Sequence, residues 1–212
     1  MSEFATIDLV PTEPVKAESP LAMCRVDVIT EPKAQSAGVV VREHAFLGHL
    51  VLRGNAGDAG FVNGVEQALG VPLPLKMGPL SVDEARGVSL QWISPDEWLI
   101  IVPGGEAFAA EQRLRETLGG HFAVMNVSGG QTVLELSGPA VPEMLMKCTP
   151  YDVHPNHFPV GKGVSTTFAK TTAIIRRLDE DRWALVIRRS FADYLYRWLL
   201  DASEEFGVHV AR

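Results

Sequence analysis

The residue types best suited to chemistry gather around one stretch, where Cys148, Asp152, His154 and His157 fall close together. A thiolate and two imidazoles are zinc ligands, and Asp152 is the nearest candidate for a fourth. The His-x-x-His spacing is loose, however, and no Cys-x-x-Cys accompanies it. The same residues also describe a proline-stiffened surface arm, 149–163, in which Tyr151, His154, His157 and Phe158 are amphipathic contact residues. Large side chains with a low ordering cost suit an interface. The second reading is the stronger, so these four are expected at a subunit contact and no metal ligand is assigned.

Other motifs carry less chemistry. Gly161-Lys162-Gly163 lacks the Ser or Thr and the following helix of a phosphate loop, and reads as a turn. No G-x-G-x-x-G follows a strand, so no dinucleotide site is indicated. Ser128 precedes Gly129-Gly130 without the G-x-S-x-G elbow of a hydrolase nucleophile. Arg176-Arg177 and Arg188-Arg189 flank the strand that begins at Trp183. Neighbouring strand residues face opposite ways, so only one of each pair can share a face. Solvated or edge-strand charge is the plainer reading, and an anion or carboxylate contact to a ligand or partner is the other. No catalytic or cofactor-binding residue is assigned.

The elements that must position these residues repeat. His49–Arg53 reads as a strand, and Asp58 caps a helix with Phe61, Val62, Val65, Ala68 and Leu69 on one side, stopped by Gly70. Residues 71–87 read as a loop, then two strands flank a Ser94-Pro95-Asp96-Glu97 turn. A second helix places Ala107, Ala110, Leu114 and Leu118 inward, and Phe122–Val127 is a strand. The order then recurs: strand 132–136, helix 139–148 and the arm. After an ambiguous extended segment, 164–170, come strands 173–178 and 183–187. A helix opened by a Ser190/Asp193 capping box, with Phe191, Leu195, Trp198, Leu199 and Ala202 on one face, leads to a last strand. Gly54 maps on Gly138 at an offset of 84, and Trp98 on Trp183 at 85. Each copy reads β-α-β-β-α-β, the split βαβ or ferredoxin-like pattern. The expectation is an α+β protein of two ferredoxin-like repeats side by side, residues 46–128 and 129–212, behind an irregular arm, 1–45.

With 212 residues, 46% hydrophobic and 21% charged, the composition is that of an ordinary globular chain. A net charge of −7 argues against nucleic acid, which needs a basic footprint. No apolar run approaches the ~20 residues of a membrane span. Cys24 and Cys148 lie far apart and suit free thiols in a reducing cytoplasm. In the arm, Pro11, Pro14, Pro20 and Pro32 interrupt any helix, while Phe4, Ile7, Leu9 and Val10 are apolar islands. The plainer reading is a floppy terminus; the sharper one makes Phe4, Ile7 and Leu9 further candidates for a contact with a neighbouring subunit.

The stretch LELSGPAVPEMLMKCTPYDVHPNHFPVGKG, followed by DEDRWALVIRRSFADYLYRWLLDA, resembles the gamma subunit of heterotetrameric sarcosine oxidase. The resemblance covers about residues 40–210. It implies a fold related to the folate-binding aminomethyltransferases of glycine cleavage. It further implies a non-catalytic subunit of a complex that oxidises sarcosine to glycine, hydrogen peroxide and formaldehyde or methylenetetrahydrofolate. The implied partners are alpha, beta and delta subunits; FAD, FMN, NAD, tetrahydrofolate and zinc would reside in them and none in this chain. The alternative is a stand-alone folate-binding one-carbon transfer protein, although no pterin-orienting carboxylate can be matched to a position here.

Overall fold

The computed structural model describes residues 17–22, 24 and 36–211. Its elements run β1 (Val39–His44), β2 (Gly48–Arg53), α1 (Ala59–Leu69), β3 (Gly78–Asp83), β4 (Val88–Ser94) and β5 (Glu97–Val102). There follow α2 (Ala107–Thr117), β6 (Ala123–Asn126), β7 (Gln131–Ser137), α3 (Val141–Cys148), β8 (Lys162–Phe168) and β9 (Thr171–Arg177). The chain ends with β10 (Arg182–Arg188), α4 (Ala192–Ser203) and β11 (Val208–Ala211). The protein is thus α+β, as its repeat pattern predicts.

Local chemistry sets the helix ends. The Asp58 side chain accepts from the Gly60 N–H at 2.8 Å, and Gly70 takes the left-handed conformation that closes α1. The predicted Ser190/Asp193 box does not form. A short 3-10 turn, Arg189–Phe191, leads into α4, and the Asp193 carboxylate is held by Arg197 one turn on and by the Cys24 thiol. On α4, Leu195, Leu199 and Ala202 are buried as expected and Trp198 packs partly buried against them, whereas Phe191 is exposed and Tyr196 and Leu200 join the inward face.

The strand order is β11-β1-β7-β10-β9-β8-β3-β4-β5-β2-β6. In the first half, β4-β5-β2-β6 is the split βαβ arrangement: β5 separates β2 from β4, and β2 separates the strands around α2. The second half repeats it with β9, β10 and β7, except that β1 stands between β7 and β11. Equivalent residues sit opposite equivalent residues, since Leu52 pairs with Trp98 and Leu136 with Trp183. Both tryptophans are fully buried, each in the core between its own sheet and its own pair of helices.

Two departures from the sequence reading shape the molecule. Each half has one strand more than predicted, β3 within the supposed loop 71–87 and β8 within the ambiguous segment. These extra strands pair antiparallel and join the halves, with the Leu80 N–H donating to the Gly161 carbonyl at 2.8 Å. Residues 39–44, assigned to the irregular arm, instead form β1, parallel to β11 and antiparallel to β7. The prolines that argued for irregularity all precede it, and Val39 and Val41 are β-branched, alternate and fully buried. Leu21 also packs into the core of the second half. Phe4, Ile7 and Leu9 lie outside the described residues.

Alternation divides every central strand between two layers. On β5, Trp98, Ile100 and Val102 face the helices, while Leu99 and Ile101 face the other half. On β10, Trp183, Leu185 and Ile187 face α3 and α4, while Ala184 and Val186 meet that second layer. The helix-free faces of the two sheets therefore pack on each other, with the helices outside.

Candidate functional site

The arm between α3 and β8 is a built structure. Val153 and Phe158 are fully buried, and the Phe158 ring lies 5.1 Å from Trp183 and 5.9 Å from Tyr151. Two cations hold the backbone. Arg177 donates to the Phe158 carbonyl at 2.9 Å and the Pro155 carbonyl at 3.3 Å, and its guanidinium lies over the Trp183 ring. Lys162 donates to the His157 carbonyl at 2.9 Å, about 5 Å from the Tyr151 and Phe158 rings. Gly161-Lys162-Gly163 is thus a turn running into β8.

The predicted residues divide accordingly. Phe158 is removed from the contact candidates, because its ring completes the chain's own core. Tyr151 is half-buried, and His154 and His157 are exposed. The Asp152 carboxylate accepts from the His157 imidazole, which holds its pKa below the ordinary carboxylate range. Cys148 does not join them. Its thiol is buried in α3, donates to the Met144 carbonyl at 3.2 Å, and is pushed up to about 11 by burial. Cys24 is likewise raised to about 11, by burial and then by Asp193. Neither thiol is an activated nucleophile. Among the described residues no three His, Cys, Asp or Glu side chains form a group that could hold a metal ion.

Ser128 has a structural task at the joint between the halves. Its hydroxyl accepts from the His49 N–H at 3.0 Å and donates to the Asn126 side chain at 2.6 Å. Arg188 and Arg189 are solvated, as expected. Arg176 and Arg177 are not: both are buried, and β9 is an internal strand. Alternation sends Arg177 to the arm and Arg176 into the layer between the sheets. The adjacent pair was the available signal; what the sequence could not supply is that both faces of β9 are covered.

Arg176 lines a cleft of about 340 Å³ between the two halves. Its apolar walls include Ile101, Val133 and Leu178. Glu84, on the β3–β4 turn, and Arg182, the first residue of β10, form an ion pair of 2.6 Å that links the halves beside it. Across the cleft, His44 approaches Glu135 at 3.2 Å and depresses the carboxylate's pKa. His49 is buried nearby on β2; burial, and then the positive charge of Arg176, push its imidazole down to about 4.

Comparison with known proteins agrees with this architecture. The model of the sarcosine oxidase gamma subunit family matches residues 53–205. The chain belongs to that family. It is 37% identical over 183 residues to the sarcosine oxidase subunit gamma of an Arthrobacter species, covering 84% of this chain and 88% of that one. Against the gamma subunit from Corynebacterium sp. (strain U-96) identity is 33% over 197 residues, covering 90% and 91%. A chain of the heterotetrameric sarcosine oxidase from Corynebacterium sp. U-96, solved with pyrrole 2-carboxylate, superposes with a TM-score of 0.81 at 32% identity. That match covers 90% of this gamma-family chain and 96% of the other. Glycine cleavage aminomethyltransferase T from Bartonella henselae shares the fold, with a TM-score of 0.60 at 17% identity over 82% of this chain and 48% of its own.

Proposed function

We propose that this chain is the gamma subunit of a heterotetrameric sarcosine oxidase and acts as a packing partner, with no active site of its own. The observation that carries this reading is the likeness to gamma subunits along nearly the whole of both chains. The chemistry then resides in alpha, beta and delta subunits, which hold FAD, FMN, NAD, tetrahydrofolate and zinc, in the cytoplasm. Within the chain, the two repeats, 46–128 and 129–212, form the body together with β1, and the N-terminal arm before it reaches a neighbour through Phe4, Ile7 and Leu9.

Large exposed apolar side chains support a contact role. Phe108 is 68% exposed, Met77 62%, Phe46 57% and Leu75 56%. Phe46 also holds a left-handed φ of 62°, which is unusual for a bulky residue. Tyr151, His154 and His157 remain contact candidates beside them.

The test is co-expression of the neighbouring genes with and without this chain. Sarcosine-dependent peroxide from a flavin-bearing complex is expected only when the chain is present to complete it. Full activity and full yield without it would overturn the reading. A purified chain that is monomeric and thermally stabilised by tetrahydrofolate would favour one-carbon transfer instead.

A further inference from the structure

Among the described residues, the charge in the cleft between the sheets has no counter-charge. Arg176 is 4% exposed, its Nε has no hydrogen-bond partner, and it has no ion-pair partner among the described residues. Burial lowers its pKa only to about 10, so it stays ionised at neutral pH. The acidic groups around it are already engaged: Glu84 with Arg182 at 2.6 Å, Asp83 with Arg86 at 2.6 Å and Glu135 with His44 at 3.2 Å. Gln91 adds a second unsatisfied group. It is 2% exposed, both of its amide atoms lack partners, and it packs over Gly163, which pairs with Arg176 across β8 and β9. Buried charges in folded proteins are ordinarily paired, and buried polar atoms ordinarily bonded.

We infer that this cleft binds a small monocarboxylate, whose anionic group takes a two-pronged contact from the Arg176 guanidinium. A planar guanidinium matches a carboxylate in that way. The volume of about 340 Å³ suits a small molecule, and the walls at Ile101, Val133 and Leu178 suit an apolar body. The engaged carboxylates set selectivity. One negative charge meets the free Arg176, whereas a second would stand beside Glu84 or Glu135 and be repelled. This inference goes beyond the subunit reading and is tested on the full chain by itself.

The probe is benzoate, with benzamide as its uncharged isostere and phthalate as its dianion. The readouts are thermal stability and the side-chain Nε–H resonance of Arg176. Benzoate is expected to shift both saturably, benzamide to shift neither, and phthalate to bind at least tenfold more weakly. Arg176→Lys is expected to weaken benzoate at least tenfold, and Arg176→Gln to abolish its effect. Arg176→Gln without ligand should melt no lower than wild type, because a lone buried charge has been removed. Equal responses to benzoate and benzamide, or a benzoate response surviving in Arg176→Gln, would overturn the site. Should Arg176→Gln not fold, wild type and Arg176→Lys decide alone by the same criteria. The titration is repeated on the chain with whatever subunits copurify. Retained binding supports the site, whereas binding lost on assembly means that a partner's acidic side chain occupies the cleft and overturns the small-molecule assignment.

Discussion

Arg177 shows how much one side chain can settle. It bonds two carbonyls of the arm, the Glu180 carboxylate and carbonyl, and covers Trp183, all while 5% exposed. Arg177→Met keeps the bulk but leaves those carbonyls without their donor, so a loss of roughly 2–4 kcal/mol is expected in urea unfolding. Arg177→Lys should recover little of it, because an ammonium cannot reach in several fixed directions. His49 gives a pH dependence whose sign is set by burial. Its pKa is about 4 when folded and near 6.5 when exposed, so the unfolded chain binds more protons between those values. Stability from this group is full above pH 6.5 and is lost as pH falls toward 4, by up to about 3 kcal/mol. His49→Asn should flatten that slope in denaturant midpoints taken across the interval. At this scale the sequence was legible where bulk decides, as at Trp98 and Trp183. It was not legible at Arg176 and Arg177, where the alternation rule held but neither face met water.

Elements were legible wherever a local signal marked their ends. Asp58 and Gly70 bracket α1 as expected, and the Pro95-Asp96 turn joins β4 to β5. The misses are the elements whose reason for forming lies far away in sequence. β3 and β8 are strands because they pair with each other across the halves, and β1 because β7 and β11 leave a place between them. The capping box failed because Arg197 and Cys24 hold Asp193. Two glycines make these junctions possible. A Cβ on Gly163 would lie 2.6 Å from Leu80 and 2.7 Å from the Gln91 side chain, so Gly163→Val should wedge the β3–β8 seam and cost roughly 1–3 kcal/mol. Gly138 has a φ of 119° and would set its Cβ 2.5 Å from the Gly38 carbonyl oxygen. Gly138→Ala should lose at least about 2 kcal/mol, and hydrogen exchange should quicken in β1.

At the scale of the whole molecule, the repeat of about 85 residues already contained the pairing of halves, because Trp98 and Trp183 mark equivalent strands. The layer between the sheets was hidden, since its residues alternate with those of two helix-covered cores. That layer holds Arg176 and the cleft, and no linear motif announces it. The proposed contact residues lie on the outer surface, so charge placed there should separate assembly from folding. Phe108→Glu with Met77→Glu should leave the chain's melting temperature within a few degrees of wild type while reducing recovery of partner subunits several-fold. Unchanged recovery would place the contact elsewhere.

The packing role of this gamma-family chain is read out by the native mass and visible absorbance of whatever copurifies with the tagged chain from cells expressing the neighbouring genes. A heterotetramer with a flavin spectrum, forming peroxide when sarcosine is added, is expected. A colourless species with the mass of this chain alone would contradict it.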